Sequence, residues 1–322
     1  MDLEHALGQR LLLWFAGDNP GAELLDLLRQ RQVGGVTLFR QLNGATPAAM
    51  RALTGALQAP ARENGWPPLL ICADQEGGQL QALEGLTAFP GNMALGATGS
   101  AELSRRVGAA IGRELAAVGV NVNYAPDCDV NVNPHNPVIG VRSFGEDPDL
   151  VAGLAAAMVQ GMQASGVAAT AKHFPGHGDT DADSHHGLGV VAHDRTRLGQ
   201  VELPPFQAAI AAGVRLVMSA HLALPALSGR SDLPATLAPE VLRDLLRGEL
   251  GFSGVTVSDA LNMEGFLQGA PLAERVVRAA AAGIDLLLLA PPNDHAHVHA
   301  ALLAAARGGE LAPGELAAAA RR

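Results

Sequence analysis

The amino-acid sequence predicts an α/β protein, a single-domain (β/α)8 barrel of the TIM type over residues 1–322. Two observations favour this fold: short apolar segments recur between longer amphipathic ones, and most of the short segments are apolar throughout. Continuous apolar runs are expected where helices cover both faces of a parallel sheet. With 48% hydrophobic and 17% charged residues, the chain has enough apolar surface for one large core. No shift in composition marks a second domain.

Eight apolar segments are the candidate strands, at 11–16, 33–39, 69–74, 120–126, 167–174, 215–221, 254–259 and 284–289. The intervening segments carry apolar residues at helical spacing, which places one face of each helix against the sheet. These stripes are Leu103, Val107, Ile111 and Leu115; Leu150, Leu154, Met158 and Met162; and Val241, Leu242, Leu245, Leu246 and Leu250. The Ala-rich tail from Gly308 is expected to be a final helix or a frayed end.

Composition excludes several classes of protein. The formal net charge of -10 argues against nucleic acid, which attracts clusters of Lys and Arg. Cys72 and Cys128 lie in or beside apolar segments, so we expect buried thiols in a reducing compartment rather than a disulfide framework. The N-terminus carries acidic residues, and the apolar run 11–16 is too short for a signal peptide or a membrane span. A soluble, cytoplasmic protein without a membrane partner is expected.

Polar residues end several of the predicted strands. Since barrels of this type build their sites at the carboxyl ends of their strands, these residues are the first candidates for function. They are Asp74, Lys172, His173, His221 and Asp259. By position alone, Asp259 could be a nucleophile, a general base or a metal ligand, or it could cap a helix.

The segment KHFPGHGDTDADSHH, residues 172–186, has the strongest chemical signal in the chain. It holds four histidines and three aspartates, all but His173 within a loop, 175–195, that lacks helical or strand pattern. We call residues 175–195 the flap, because its glycines would let it move over the barrel mouth. Asp183 lies two residues before His185, so a turn can bring its carboxylate onto one ring nitrogen and fix the tautomer. The alternative is a solvated acidic loop with incidental histidines.

A metal site in this segment is a less favoured alternative. The potential ligands are His173, His177, Asp179, Asp181, Asp183, His185 and His186. Pro175 and Gly176 prevent a helix that would bring His173 and His177 onto one face. We therefore expect neither a metal nor another cofactor.

Two further segments carry candidate binding groups. DQEGG, 74–78, places acids directly after a strand, followed by glycines that allow close approach of a ligand. RSFGEDP, 142–148, places Arg142 where it could clamp a hydroxyl or carboxylate. The alternative for Arg142 is a surface salt bridge with Glu146 or Asp147.

Together these motifs resemble a known family. The segments are DQEGG (74–78), FPGNMALGAT (89–98), NYAPDCDVN (123–131), RSFGEDP (142–148), KHFPGHGDTDADSH (172–185), MSAHLALPAL (218–227) and GFSGVTVSDALNM (251–263). Their order and content resemble the single-barrel bacterial β-N-acetylglucosaminidases (β-N-acetylhexosaminidases) of glycoside hydrolase family 3. The resemblance spans nearly the whole barrel, and the flap motif ending in Asp-Ser-His is its most specific part.

The resemblance implies a role for each matching residue. Asp259 matches the nucleophile, His185 the general acid/base and Asp183 its partner. The groups that match those holding the terminal N-acetylglucosamine are Asp74, Arg142, Lys172 and His173. Gln79 and Ala82 stand where the family usually has arginines, which affects the expected sugar contacts. Ala260 replaces a frequent second Asp.

The resemblance implies a retaining exo-β-N-acetylglucosaminidase with a small carbohydrate substrate. Because aromatic residues are only 3% of the chain, short fragments of peptidoglycan or chitin, as in peptidoglycan recycling, are favoured over long polysaccharides. An imidazole acid/base does not repel anions as a carboxylate would, so a phosphorylase is an alternative. A non-catalytic sugar-binding barrel and a metal-dependent hydrolase are further alternatives. The sequence does not set an oligomeric state.

Overall fold

The eight predicted strands form a parallel barrel. The computed structural model describes residues 2–40, 42–290 and 294–322, and all elements below lie in these ranges. The strands are β1 (Leu11–Trp14), β2 (Gly35–Thr37), β3 (Leu70–Ala73), β4 (Gln75–Gly77), β5 (Leu80–Gln81), β6 (Val122–Asn123), β7 (Ala168–Phe174), β8 (Gly189–Val190), β9 (Leu216–Ser219), β10 (Leu222–Ala223), β11 (Val255–Ser258) and β12 (Leu287–Leu288).

Helices surround the sheet. The α-helices are α1 (Leu3–Gly8), α2 (Ala22–Arg29), α3 (Pro47–Asn64), α4 (Asn92–Thr98), α5 (Ala101–Ala117), α6 (Pro148–Gln163), α7 (Arg195–Gln200), α8 (Pro204–Ala211), α9 (Pro225–Ser228), α10 (Glu264–Leu267), α11 (Leu272–Ala282), α12 (His295–Arg307) and α13 (Pro313–Arg321). Two 3-10 turns, Gly140–Arg142 and Ala235–Leu237, and a π-helix, Glu240–Glu249, complete the chain. The C-terminal tail is thus helical.

The barrel strands follow the order β11–β9–β7–β6–β3–β2–β1–β12, and every neighbouring pair is parallel. A parallel bridge between Val257 and Leu286 joins the two ends of the sheet. The predicted (β/α)8 barrel is therefore confirmed. Its strands are shorter than the apolar segments; β6, for example, occupies two residues of the predicted 120–126. Past β6 the contacts with the neighbouring strands continue as single backbone bonds, from the Tyr124 N–H to the Ala73 carbonyl and from the Thr170 N–H to the Ala125 carbonyl.

Two apolar cores explain why the strands are apolar throughout. Alternate residues point into the barrel, where Leu12, Cys72, Val122, Tyr124, Leu216, Met218, Val257, Leu286 and Leu288 form a buried cluster. Their neighbours along the strands, such as Leu11 and Val217, pack outward against the helices. Both faces of the sheet are therefore buried, as in other barrels of this type. Cys72 and Cys128 are buried free thiols, as predicted.

The predicted helical stripes form α5, α6 and the π-helix. In α5, Ile111 and Leu115 are buried, but Leu103 is 37% exposed, so the stripe does not reach the first turn. Helices α5 and α6 pack closely because small residues lie between them. A Cβ on Gly161 would come within 2.0 Å of the Arg105 carbonyl oxygen, so only glycine fits there.

Across the described parts of the chain, no helix has both the length and the apolarity needed to cross a membrane.

Candidate active site

A cleft of about 630 Å³ opens at the carboxyl ends of the barrel strands. Six of the seven predicted site residues line it, namely Asp74, Arg142, Lys172, His173, His185 and Asp259. The seventh, Asp183, contacts His185 directly, since its Oδ1 lies 2.7 Å from Nδ1 of His185. Residues from separate strands and from the flap therefore meet at one place, as the rule for this barrel type predicts.

A buried ion-pair network forms one wall of the cleft. Lys172 donates to Asp74 Oδ1 and lies 2.6 Å from both Asp74 and Glu76. Arg142 binds Glu76 through two bonds, 3.0 Å from Nε to Oε2 and 2.8 Å from Nη2 to Oε1. The alternative of a surface salt bridge between Arg142 and Glu146 or Asp147 is therefore wrong. The chain fold brings a more distant and buried carboxylate to the guanidinium.

Glu76, an acid of the DQEGG segment, is the centre of this network, although the family resemblance implied no role for it. Its side chain is 3% exposed. Burial alone would raise its pKa, but Lys172 and Arg142 outweigh that effect and lower the pKa to about 2. The carboxylates of Asp74 and Glu76 raise the pKa of Lys172, although burial acts in the opposite direction. Glu76 and Lys172 are therefore charged at neutral pH.

His173 is held in one tautomer from both sides. Nδ1 lies 2.7 Å from Asp129 Oδ2, and Nε2 lies 3.3 Å from Arg142 Nη2. A guanidinium has only donors, so Nε2 accepts and Nδ1 carries the proton that it donates to Asp129. The Asp129 carboxylate also accepts the backbone N–H of His177 at 2.6 Å.

Asp127 and Asp129 lie beneath the cleft and were missed as site residues. Both carboxylates are fully buried. Burial, followed by the neighbouring Asp129, raises the pKa of Asp127 well above its ordinary value and favours the protonated acid. Burial would also raise the pKa of Asp129, but His173 and His177 lower it below the ordinary value. The sequence of segment 123–131 resembles the family motif, but only the folded structure shows that Asp127 and Asp129 lie beneath the cleft.

Asp259 follows β11 and points into the cleft beside these groups. Its Oδ1 accepts the N–H of Ala260 at 2.7 Å, and the next helix, α10, begins five residues later. Asp259 is therefore not the cap of a helix. Burial raises its pKa, but His173, His221, the Ala260 N–H and Lys172 outweigh that effect and bring the pKa below the ordinary value. Asp259 is a carboxylate at neutral pH, as a nucleophile requires.

His221 supports the backbone next to Asp259. Its ring is buried, with Nε2 3.1 Å from the Ala260 carbonyl oxygen and Nδ1 2.8 Å from Thr236 Oγ1. Because a carbonyl only accepts, Nε2 carries the proton. Burial lowers the pKa of His221, although Asp259 opposes this effect. A neutral imidazole thus holds the turn that carries Asp259.

The flap presents His185 to the cleft. Asp183 Oδ1 accepts both the ring Nδ1–H and the backbone N–H of His185, at 2.7 and 2.9 Å. This contact agrees with the prediction from sequence spacing, and it leaves Nε2 as the nitrogen available for proton transfer. Burial would raise the pKa of Asp183, but its bonds to His185 lower it. The His185 side chain is 61% exposed.

Contacts on both sides hold the flap in place. The N–H of Gly265 in α10 donates to the Ser184 carbonyl at 3.0 Å, which ties the flap to the segment after Asp259. Asp179 Oδ2 lies 2.5 Å from His193 Nε2, so the two ends of the segment between them are joined. Gly178 approaches Val130 so closely that a Cβ would lie 1.8 Å from its carbonyl oxygen. At this position the glycine is required for packing.

Among the described residues, two clusters of side chains have atoms close enough to share a metal ion. They are Asp127, Asp129 and His173, and Asp179, His193 and Glu202. In the first, His173 already donates to Asp129. In the second, Arg197 lies 3.2 Å from Glu202 and 3.6 Å from Asp179 and supplies positive charge there. Neither cluster is the set of flap residues considered from the sequence.

Carboxylates and a histidine that meet in a cleft at the carboxyl ends of barrel strands are an arrangement that glycoside hydrolases use, and the fold and the cleft indicate this class. Comparison with known proteins specifies the family. The model of the glycosyl hydrolase family 3 N-terminal domain matches residues 2–322. The chain belongs to glycosyl hydrolase family 3.

Named relatives and solved structures agree with this assignment. The chain is 41% identical to beta-hexosaminidase A of Pseudoalteromonas piscicida, over 88% of this chain and 52% of that protein. It is 37% identical to a beta-hexosaminidase of Stenotrophomonas maltophilia, over 88% of this chain and 84% of that protein. The chain spans about half the length of the first curated relatives that it matches.

Several solved structures superpose over the entire chain, and two of them show the similarity well. A family 3 beta-N-acetylglucosaminidase from Paenibacillus sp. str. FPU-7 matches with a TM-score of 0.96 and 45% identity, over 100% of this chain and 61% of that one. A beta-N-acetylhexosaminidase from Beutenbergia cavernae matches with a TM-score of 0.91 and 33% identity, over 100% of this chain and 97% of that one.

Proposed function

We propose that this protein is a retaining exo-β-N-acetylglucosaminidase that removes terminal β-linked N-acetylglucosamine from short peptidoglycan or chitin fragments. The observation that carries the proposal is that Asp259 and His185 line the same cleft, with His185 bonded to Asp183. Names of relatives from several bacteria support the sugar. The proposal treats residues 1–322 as one catalytic barrel.

The first step forms a glycosyl-enzyme. A carboxylate oxygen of Asp259 attacks the anomeric carbon while the bond from that carbon to the leaving oxygen breaks. His185, protonated on both nitrogens, gives the Nε2 proton to the leaving oxygen, so that the leaving group departs as an alcohol. Asp183 accepts the remaining Nδ1–H and stabilises the ring orientation.

The second step releases the sugar. Nε2 of His185 takes a proton from a water molecule, whose oxygen attacks the anomeric carbon and displaces Asp259. Two displacements at one carbon retain the β configuration. Because Asp259 is ionised at neutral pH, it is ready to attack and is also a good leaving group. An imidazole exchanges protons near neutral pH, so one group can serve in both steps.

The wall made by Asp74, Arg142, Lys172 and His173 is proposed to hold the terminal sugar. Lys172 has three N–H donors, and its two carboxylate partners leave one for a hydroxyl. Asp74 Oδ2 can accept from a second hydroxyl. Buried polar groups of this kind discriminate strongly against sugars that cannot pair with them.

The test is a panel of 4-nitrophenyl β-glycosides. We expect kcat/KM for the N-acetylglucosaminide to exceed the values for the glucoside and the xyloside, and NMR to show the β anomer as first product. Equal rates on all three would reject the assigned sugar, and an α product would reject the double displacement.

A cytoplasmic location is proposed as well. Cys72 and Cys128 are free and buried, which suits a reducing compartment. Fractionation of the native host with activity assays would test it, and activity confined to the medium would reject it.

A further inference from the structure

A second cavity, of about 220 Å³, lies at the end of the barrel opposite the cleft. Arg10 directly precedes β1 and Asp285 shortly precedes β12, so this cavity opens at the amino ends of the strands. The π-helix and α13 supply its side walls. We call it the lower cavity, and its charged lining residues are Arg10, Arg243, Arg247, Asp285, Glu315 and Arg322.

Three guanidiniums of the lower cavity lie around one buried carboxylate. Arg247 donates to Asp285 Oδ2 at 2.7 Å, and Arg322 donates to Asp285 Oδ1 at 2.6 Å. Arg10, which is 4% exposed, donates instead to the backbone carbonyls of Ile284 and Asp285. Among the residues that the structure describes, no carboxylate forms an ion pair with Arg10. Its charge is therefore only partly compensated, because a carbonyl oxygen carries no full negative charge.

The lining of the lower cavity has two positive charges in excess. Arg243 and Glu315 form a pair, with Nη2 2.7 Å from Oε2, and their charges cancel. The other three cations face the single carboxylate of Asp285. The excess is local, since the chain as a whole carries a formal net charge of -10. An anion with two negative charges would balance it, as buried cations require.

The cations of the lower cavity repel one another. Burial lowers the pKa of Arg10 to about 10, and Asp285 opposes this effect whereas Arg322 adds to it. Burial also lowers the pKa of Arg247, again opposed by Asp285 and reinforced by Arg322. One carboxylate therefore does not remove the repulsion among three guanidiniums, and a bound anion would reduce it.

The chemistry of this lining matches a phosphoryl group. A guanidinium presents its N–H donors in a planar fork that fits two oxygens of a phosphoryl group. Nη1 of Arg10 has no hydrogen-bond partner among the described residues, so Arg10 keeps donors for a ligand. A phosphate monoester loses its second proton near pH 6, so at neutral pH it carries close to the two negative charges that the lining lacks.

The lower cavity also has room for an organic group. The five heavy atoms of phosphate would fill about 150 Å³ even at the volume of liquid water, about 30 Å³ per molecule, which is less than the cavity offers. Leu311, Ala312 and Leu316 form an apolar wall beside the guanidiniums. A small sugar phosphate could place the apolar face of its ring against this wall.

We propose that the lower cavity is an anion site that binds a phosphoryl group, presented as inorganic phosphate or as a small phosphate monoester such as a hexose 6-phosphate. This site goes beyond the proposed function, because it lies at the other end of the barrel from the cleft. Its test is a binding measurement, so a failure of the proposed hydrolase activity would leave it unaffected.

The test is isothermal titration calorimetry at about pH 7.5 with inorganic phosphate and with glucose 6-phosphate, at an ionic strength held constant with NaCl. We expect saturable binding and, at a ligand concentration about tenfold above Kd, a Tm higher by about 2 to 4 °C. Tighter binding of glucose 6-phosphate would identify the monoester as the ligand, and equal or weaker binding would identify phosphate itself. Both results uphold phosphoryl recognition.

Two charge variants locate the bound anion. Arg243→Gln removes a cation and leaves Glu315 unpaired, so the Kd for phosphate should rise about tenfold. Glu315→Gln frees Arg243 and should lower the Kd by a similar factor. The two side chains are 38% and 48% exposed, so we expect both variants to fold. The exposed pair of Arg105 and Glu102 on α5 supplies the matched controls, Arg105→Gln and Glu102→Gln, which should leave the Kd unchanged.

Each result decides for or against the site. No saturable binding of either ligand up to about 20 mM would overturn the proposal. So would equal changes in Kd for Arg243→Gln and Arg105→Gln, because the anion would then bind elsewhere, for example in the cleft. Opposite shifts for Arg243→Gln and Glu315→Gln, with both controls unchanged, would support it.

Discussion

Replacing Glu76 by Gln should weaken both the fold and the binding of the terminal sugar. Glu76 is 3% exposed and joins Lys172 to Arg142. Gln keeps the shape, but it removes the negative charge and turns one acceptor into an NH2 group that faces two cations. Removal of one partner from a buried ion pair leaves the other charges uncompensated, which is strongly destabilising.

The expected loss in the free energy of unfolding follows from the pKa of Glu76. A carboxyl whose pKa falls from the model-peptide value of 4.5 to about 2 on folding stabilises the folded state by about 3 kcal/mol at neutral pH. Because the folded pKa is the lower one, this stabilisation is present above about pH 4.5 and is lost as the pH falls towards about 2. We expect Glu76→Gln to lose roughly this amount at pH 7, which lowers the Tm by about 5 °C.

The assay is thermal and urea unfolding of wild type and Glu76→Gln between about pH 7 and pH 3, with the difference in stability shrinking at the acid end. Enzyme that remains folded should show a higher KM for the aryl N-acetylglucosaminide. Glu84→Gln is a control, because its pair with Arg40 is exposed and contributes at most about 1 kcal/mol. Unchanged stability and KM in Glu76→Gln would refute the argument that the network is held together by this carboxylate.

Asp259→Ala should abolish turnover, and added azide should restore it with an α-glycosyl azide as product, identified by NMR; a β-azide would place the nucleophile elsewhere. His185→Ala should slow a natural disaccharide about a hundredfold or more, but an activated aryl glycoside much less, because only the poor leaving group needs the proton; equal losses would contradict the acid role. Ala82→Arg should lower the KM for the aryl substrate by adding a donor to the cleft, and an unchanged KM would show that another group already supplies this contact. Dialysis against a chelator should leave kcat unchanged, and a loss that zinc restores would support the metal-dependent alternative.

The barrel was predictable because its signal is local. The strands lie in mostly apolar runs, and along β3 the alternation of inner and outer cores requires apolar residues at every position. The contact of Asp183 with His185 was predictable for the same reason, since two residues in a turn decide it. The predicted ends of the strands agree less well with the structure, because the loops at the barrel mouth determine where strand pairing stops.

Contacts between distant segments could not be predicted. Glu76 meets Arg142 across 66 positions of the chain, whereas the sequence pointed to acids four and five residues away. Asp129 meets His173 across 44 positions. Only the closed sheet brings the ends of β3, β6 and β7 side by side, and no periodicity in the sequence encodes which acid will face which base.

The bond between Asp179 and His193 has a consequence for engineering. It holds together the two ends of residues 179–193, the segment that carries Asp183 and His185, whereas Asp259, the proposed nucleophile, follows a barrel strand. Exchange of residues 179–193 with the equivalent stretch of a relative would replace the proposed acid/base pair and leave the eight barrel strands unchanged, as long as β8 within the segment keeps its pairing with β10. The proposed acid/base and the proposed nucleophile can therefore be varied in separate libraries of variants.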